Sequence, residues 1–201
     1  MRIRSIALAI GLLLGAVMAA MGQSVPMIAV ANQSTGDIAL TYHWLRTNAQ
    51  PGGCGCFDLN GGGISGSWNV RPELAVVTEF SAEYAGQVPS TGNSLTLTSY
   101  LAGMRYVLPQ LWSRGRHGLQ PFTQLLVGAA HAGGGMAGAG DATFAFATRI
   151  GGGADLPVSP SFAVRIIQID YDLTTFHNSL NGHQNNLLLS SGVVFRWSHN
   201  K

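Results

Sequence analysis

The segment Asn185–Trp197, NNLLLSSGVVFRW, constrains this chain more than any other stretch. Taken two residues at a time it separates into two sets. Leu187, Leu189, Ser191, Val193, Phe195 and Trp197 form a largely apolar set that ends in two aromatics; Asn186, Leu188, Ser190, Gly192, Val194 and Arg196 form a mixed one. Successive side chains of a strand point to opposite faces, so this is a ribbon with one greasy and one mixed face. It runs for 13 residues, whereas strands of soluble proteins are commonly about five or six. A tilted strand needs roughly 9–11 residues to cross a bilayer, and an aromatic near its end then lies at the interface. The segment therefore predicts the closing strand of a membrane β-barrel.

The rest of the chain has the composition such a barrel needs. Only 10% of the 201 residues are charged, the formal charge is +2, and there are 27 glycines. That balance provides no basic field for nucleic acid, and no basic tract is interleaved with aromatics, so no nucleic-acid partner is expected. Residues 1–22 have the pattern of a signal peptide: Arg2 and Arg4, an uncharged apolar run from Ile6 to Ala20, then the small-x-small site Ala20-Met21-Gly22. Ala29-Val30-Ala31 provides a second such site. Residues 23–201 are then expected to form one domain, in which no apolar stretch reaches the ~18 residues of a transmembrane helix.

Alternation and turn residues predict eight strands, over residues 37–46, 57–70, 73–84, 94–108, 119–131, 142–156, 162–176 and 185–197. Ile38, Leu40, Tyr42, Trp44, Phe80, Ile169, Tyr171, Val193 and Phe195 fall on apolar faces and are expected to meet lipid. The LTLT run at residues 95–98 has the opposite parity to the strand that follows, which predicts either a bulge or an extramembrane extension there. Turns at Arg71-Pro72 and Pro157–Ser161 are short, and the loops after the first, third, fifth and seventh strands are longer. Pro109–Gly118, carrying Arg114 and Arg116, reads as a polar turn. Short turns at one end and longer loops at the other are typical of bacterial outer-membrane barrels.

The polar faces collect Glu79, Glu83, Arg105, Arg149, Asp170, Asp172 and Arg196. Charges facing lipid are expensive, so these seven are expected to point into the lumen and pair as a structural network. Neighbouring strands suggest that Glu79 or Glu83 meets Arg105, and that Asp170 or Asp172 meets Arg149 or Arg196. An eight-stranded barrel is filled by its own side chains, which leaves no wide pore and little room for a substrate. His177-Asn178-Ser179 places a histidine two residues before a serine, as in the lipid A deacylases, but no carboxylate follows on the closing strand to orient the base. His183 in the same loop reads as a solvated loop residue, with a weak metal contact as the alternative. Asp58 and Asn60 supply too few oxygens for calcium. Cys54 and Cys56, in CGC spacing, are either a tight loop disulfide or two unpaired thiols. No catalytic, metal or cofactor site is predicted.

The blocks GGGISGSWNVRPELAVVTEFSAEY, LAGMRY, RIIQIDYDLTTF and QNNLLLSSGVVFRW resemble the OmpA-like outer-membrane β-barrel domain, over about Asp37 to Trp197. The resemblance implies an all-β, eight-stranded, antiparallel up-and-down barrel in the outer membrane of a Gram-negative bacterium, with both termini in the periplasm. It further implies a monomer whose partners are outer-membrane lipids and the barrel-insertion machinery. Two other readings share the strand count: an outer-leaflet lipid-modifying enzyme, and a soluble lipocalin-like binder that turns its apolar face inward.

Overall fold

The computed structural model describes residues 34–47, 56–88, 94–114, 117–134, 144–176 and 182–198, all of them within one unit, residues 31–201. Nine strands follow in order: β1 (Gly36–Thr47), β2 (Phe57–Arg71), β3 (Leu74–Ala85), β4 (Leu95–Val107), β5 (Leu111–Arg114), β6 (His117–Gly134), β7 (Phe144–Ser159), β8 (Phe162–Thr174) and β9 (Gln184–Trp197). Every pairing is antiparallel, and β4 pairs with β6 while β1 pairs with β9, so eight strands close into a barrel. The closing ladder runs unbroken from Gly36 opposite Trp197 to Thr47 opposite Asn186. Closure leaves the wall no free edge, which is the condition for a sheet to persist in hydrocarbon. Two-residue turns follow β2 and β7, while the strand ends that flank the longer connections 48–56, 86–94, 135–143 and 175–183 lie at the opposite end of the barrel. The barrel's two chain ends meet at the short-turn end, where the Thr35 amide donates to the Trp197 carbonyl at 2.7 Å.

Alternation sorts the side chains. On β3, Ala75, Val77, Glu79, Ser81, Glu83 and Ala85 turn inward, and Val76, Phe80 and Tyr84 outward. Ile38, Leu40, Tyr42, Ile169, Tyr171 and Phe195 also face out, while Trp44 and Val193 on the same faces are half-buried by neighbours. Among the described side chains, outward charges occur only at the rims: Arg46 paired with Asp58 at the long-loop end, and Arg71 and Glu73 at a short turn. Tyr42, Tyr84, Phe144 and Tyr171 lie toward the long loops, and Trp68, Tyr106, Phe195 and Trp197 toward the short turns. This is an apolar wall with an aromatic belt at each interface. A soluble binder needs the reverse arrangement, with the apolar set inside.

Two local expectations need correction. Residues 95–98 form no bulge: the β3–β4 and β4–β6 ladders keep one register from Leu95 to Tyr106. Leu95 and Leu97 simply turn inward, because the interior there is apolar and packs them with Leu45, Phe57, Leu59, Leu101 and Leu188. The bulge lies on β8 instead, where Ile166 and Ile167 both face outward and the register shifts between Arg165 and Gln168. The predicted turn at 109–118 holds the short strand β5, paired only with the start of β6. Residues 1–33, and with them the expected signal peptide, lie outside the described residues.

Nitroxide labels placed one at a time at Ile166 and Ile167 should both show high oxygen accessibility in bilayers. A label at Gln168 should not. An unbulged strand would make Ile166 and Ile167 report opposite environments.

Candidate functional site

The lumen is where the chain concentrates its chemistry, and alternation puts it there. Glu79, Glu83, Arg105, Arg149, Asp170, Asp172 and Arg196 are all buried on inward positions. Asp37, His43, Asp155 and Arg165 join them, so the interior holds six carboxylates, four guanidinium groups and one imidazole. Glycines make the room. A Cβ on Gly63 would lie 2.7 Å from His43 Cε1, and one on Gly151 would lie 2.4 Å from Asp170 Oδ1.

Three groups of contacts cross this space. Arg149 of β7 reaches over the lumen to Glu79 of β3 through Nη1, and donates through Nη2 to Asp172 Oδ2 on neighbouring β8 at 2.8 Å. His43 of β1 bridges Glu83 of β3, with Nδ1 at 2.7 Å from Oε1, and its Nε2 lies 2.8 Å from Thr41 Oγ1. The third group is a loop around Asp170. Gln168 Nε2 donates to Asp170 Oδ2 at 2.6 Å and Gln124 Nε2 to Oδ1 at 3.4 Å. Each glutamine oxygen is pinned by an arginine: Arg165 Nη1 donates to Gln168 at 2.8 Å, and Arg105 Nη2 to Gln124 at 3.2 Å. Both guanidinium groups stack on Phe122, 4.5 Å and 4.7 Å from its ring centroid. Toward the short-turn end, Asp155 accepts from Arg165 Nε at 2.9 Å and faces Arg196 at 3.7 Å. Arg196 also donates to Gln120 at 3.0 Å.

Of the expected pairs, Asp172 with Arg149 forms, and those residues face each other directly across β7 and β8. The expected pairing of Glu79 or Glu83 with Arg105 does not. The β3–β4 register sets Arg105 opposite Ala75, Glu79 opposite Leu101 and Glu83 opposite Leu97. Arg105 instead takes Asp37 at 3.5 Å. Neither Asp170 nor Asp172 pairs with Arg196, which stands opposite Asp37 beside the short turns. Arg165 escapes a sequence reading because the β8 bulge reverses its parity. Its signal is a charge that strict alternation would put among Ile167, Ile169 and Tyr171. Asp37 and His43 share the inward parity of Ala39 and Thr41, so the same rule that found Glu79 also reaches them.

Thr41, His43 and Glu83 repeat the hydroxyl–imidazole–carboxylate order of nucleophilic catalysts. Gly63 packs against the His43 ring, where a Cβ would clash, and the His43–Glu83 contact ties β1 to β3. At the long-loop rim, Asp58 is held by Arg46 at 2.8 Å and Asn60 Oδ1 accepts from the Tyr42 hydroxyl at 2.7 Å. His183 and Cys56 are exposed; Cys54, His177 and Ser179 lie outside the described residues. Among the described residues no three His, Cys, Asp or Glu side chains converge as a metal site.

Arg149→Ala should leave Glu79 and Asp172 charged and unpaired, at a cost of about 3–5 kcal/mol. The folded band on heat-modifiability gels should then be lost at lower temperature than in the parent. Arg196→Ala should shift it in the same direction, and Arg46→Ala, at an exposed rim pair, should leave it in place. Equal behaviour of all three would show that the lumen network is solvated.

No protein-family model matches the chain, and no curated protein matches it. Solved structures do match. Neisserial surface protein A (NspA) covers 82% of this chain and 98% of its own, with a TM-score of 0.56 and 14% identity. Ail, the attachment invasion locus protein of Yersinia pestis, solved with the heparin analogue sucrose octasulfate, covers 81% and 97%, at 0.48 and 11% identity. The N-terminal β-barrel domain of Pseudomonas aeruginosa OprF covers 82% and 100%, at 0.46 and 15% identity. At such identities the likeness is one of fold, and the NspA match carries it: this chain is an eight-stranded antiparallel β-barrel of the outer-membrane type, the architecture its OmpA-like sequence pattern implies.

Proposed function

We propose that the protein is an integral outer-membrane barrel with a structural or surface-interaction role, and that it neither conducts through a wide pore nor catalyses a reaction. The observation that carries this reading is the pairing of an uncharged, aromatic-belted outer wall with a lumen filled from side to side by its own side chains. Arg149, tied to both Glu79 and Asp172, crosses the middle, and the apolar cluster of Leu45, Phe57, Leu59, Leu95 and Leu188 occupies the interior toward the long loops. A charged crossbar and an apolar plug in series leave an ion neither a hydrated nor a continuous route. On this reading the protein is a monomer whose partners are outer-membrane lipids and the barrel-insertion machinery. Both chain ends face the periplasm with the short turns, and the long connections reach the cell surface, where any partner is met.

Two measurements test the proposal. The full-length protein should fractionate with outer membranes and resist extraction by carbonate; recovery in the soluble periplasmic fraction would refute the location. Planar-bilayer recordings should show no stable, large conductance. Such a conductance would require a lumen much more open than the one built by Arg149 and its partners.

A further inference from the structure

A polar cavity of about 30 Å³ opens at the short-turn end of the lumen, lined by Asp37, Arg105, Gln120, Phe122, Asp155 and Arg196 among others. Two of these side chains carry a buried polar atom with no hydrogen-bond partner among the described residues: Asp37 Oδ1 and Arg196 Nη1. They belong to residues that face each other across the closing ladder of β1 and β9. Arg196 donates through Nη2 to Gln120 at 3.0 Å, and Asp37 Oδ1 has Arg105 Nη1 at a long 3.5 Å. One orphan is a donor and the other an acceptor. An anion here would face Asp37 and Asp155, and a cation would face Arg105 and Arg196. A small ligand that both donates and accepts, as water does, suits the pair. About 10–15 Å³ of such space admits one water, so the cavity has room for about two.

The cavity stops at Phe122. Along β6 the inward residues run Gln120, Phe122, Gln124; the first two line the cavity and Gln124 does not. The Phe122 ring is gripped between the guanidinium groups of Arg105 and Arg165, each of which is tied through a glutamine to Asp170. On the β7 side, a Cβ on Gly153 would lie 2.8 Å from Phe122 Cζ, so the ring has no space to swing that way. A chain of five residues, Arg105, Gln124, Asp170, Gln168 and Arg165, thus holds one apolar ring across the lumen.

We propose that the short-turn mouth is a water-binding vestibule seated between Asp37 and Arg196, and that Phe122 is the seal separating it from the polar loop around Asp170. The seal keeps water from competing for the Gln124 and Gln168 amides, so the Arg–Gln–Asp relays persist without solvent.

Side-chain proton exchange in the full-length protein in lipid nanodiscs tests both halves. In the parent, the Arg196 guanidinium should show water cross-peaks. The Gln124 and Gln168 side-chain amides should exchange at least about tenfold more slowly than that of Gln120. Absence of water at Arg196 would overturn the vestibule, and equal exchange at all three glutamines would overturn the seal. In Phe122→Ala the Gln124 and Gln168 rates should rise to that of Gln120 while the Leu126 and Leu188 backbone amides stay protected. Phe122→Leu, which keeps an apolar bulk, should preserve the slow rates. Slow exchange retained in Phe122→Ala would show that something other than this ring excludes the water. Should Phe122→Ala not fold, the parent and Phe122→Leu decide the question between them.

Discussion

Backbone hydrogen bonding in hydrocarbon is the constraint on which the rest of this structure depends. With no water at membrane depth, each amide and carbonyl of the wall must find a partner in a neighbouring strand, and the last strand must find the first. The ladder from Gly36–Trp197 to Thr47–Asn186 meets that demand. Once the ladder closes, every strand has one face toward lipid and one toward the lumen, and a residue's parity decides which solvent it meets. The apolar wall and the charged interior are two consequences of that single condition.

The interior then has to solve its own problem, because ten ionisable groups cannot share a narrow lumen unpaired. They are distributed along it. Toward the short turns, Arg105, Arg165 and Arg196 meet Asp37, Asp155 and Asp170, three charges of each sign, two of the arginines reaching Asp170 through glutamine amides. Around Arg149 the balance is different: Glu79, Glu83 and Asp172 share one guanidinium and the His43 imidazole. Toward the long loops leucine, phenylalanine and alanine take many of the inward positions, beside the buried polar Thr47, Thr174, Gln184 and Asn186. Contacts such as Arg149–Glu79 and His43–Glu83 join strands that are not neighbours in the wall, so they brace the barrel across its width in a way that the ladder, which ties only adjacent strands, does not.

The sequence by itself determined the strand pattern, the closing role of Asn185–Trp197 and the inward side for Glu79, Glu83, Arg105, Arg149, Asp170, Asp172 and Arg196. All of that rests on a two-residue period, which is local and survives without knowing where any strand lies. The long-loop and short-turn ends were legible for the same reason, since glycine, proline and asparagine mark turns locally. What only the tertiary structure decided is which inward residues meet. Strand register moves a side chain along the lumen without changing its face, so parity could not tell that Arg105 stands opposite Ala75 and turns to Asp37. Pairs such as Glu79 with Arg149 cross the barrel, and their distance depends on its closure and width. One extra residue at Ile166-Ile167 inverted the parity that would have turned Arg165 to lipid, because a bulge adds a residue to one strand and none to its partner.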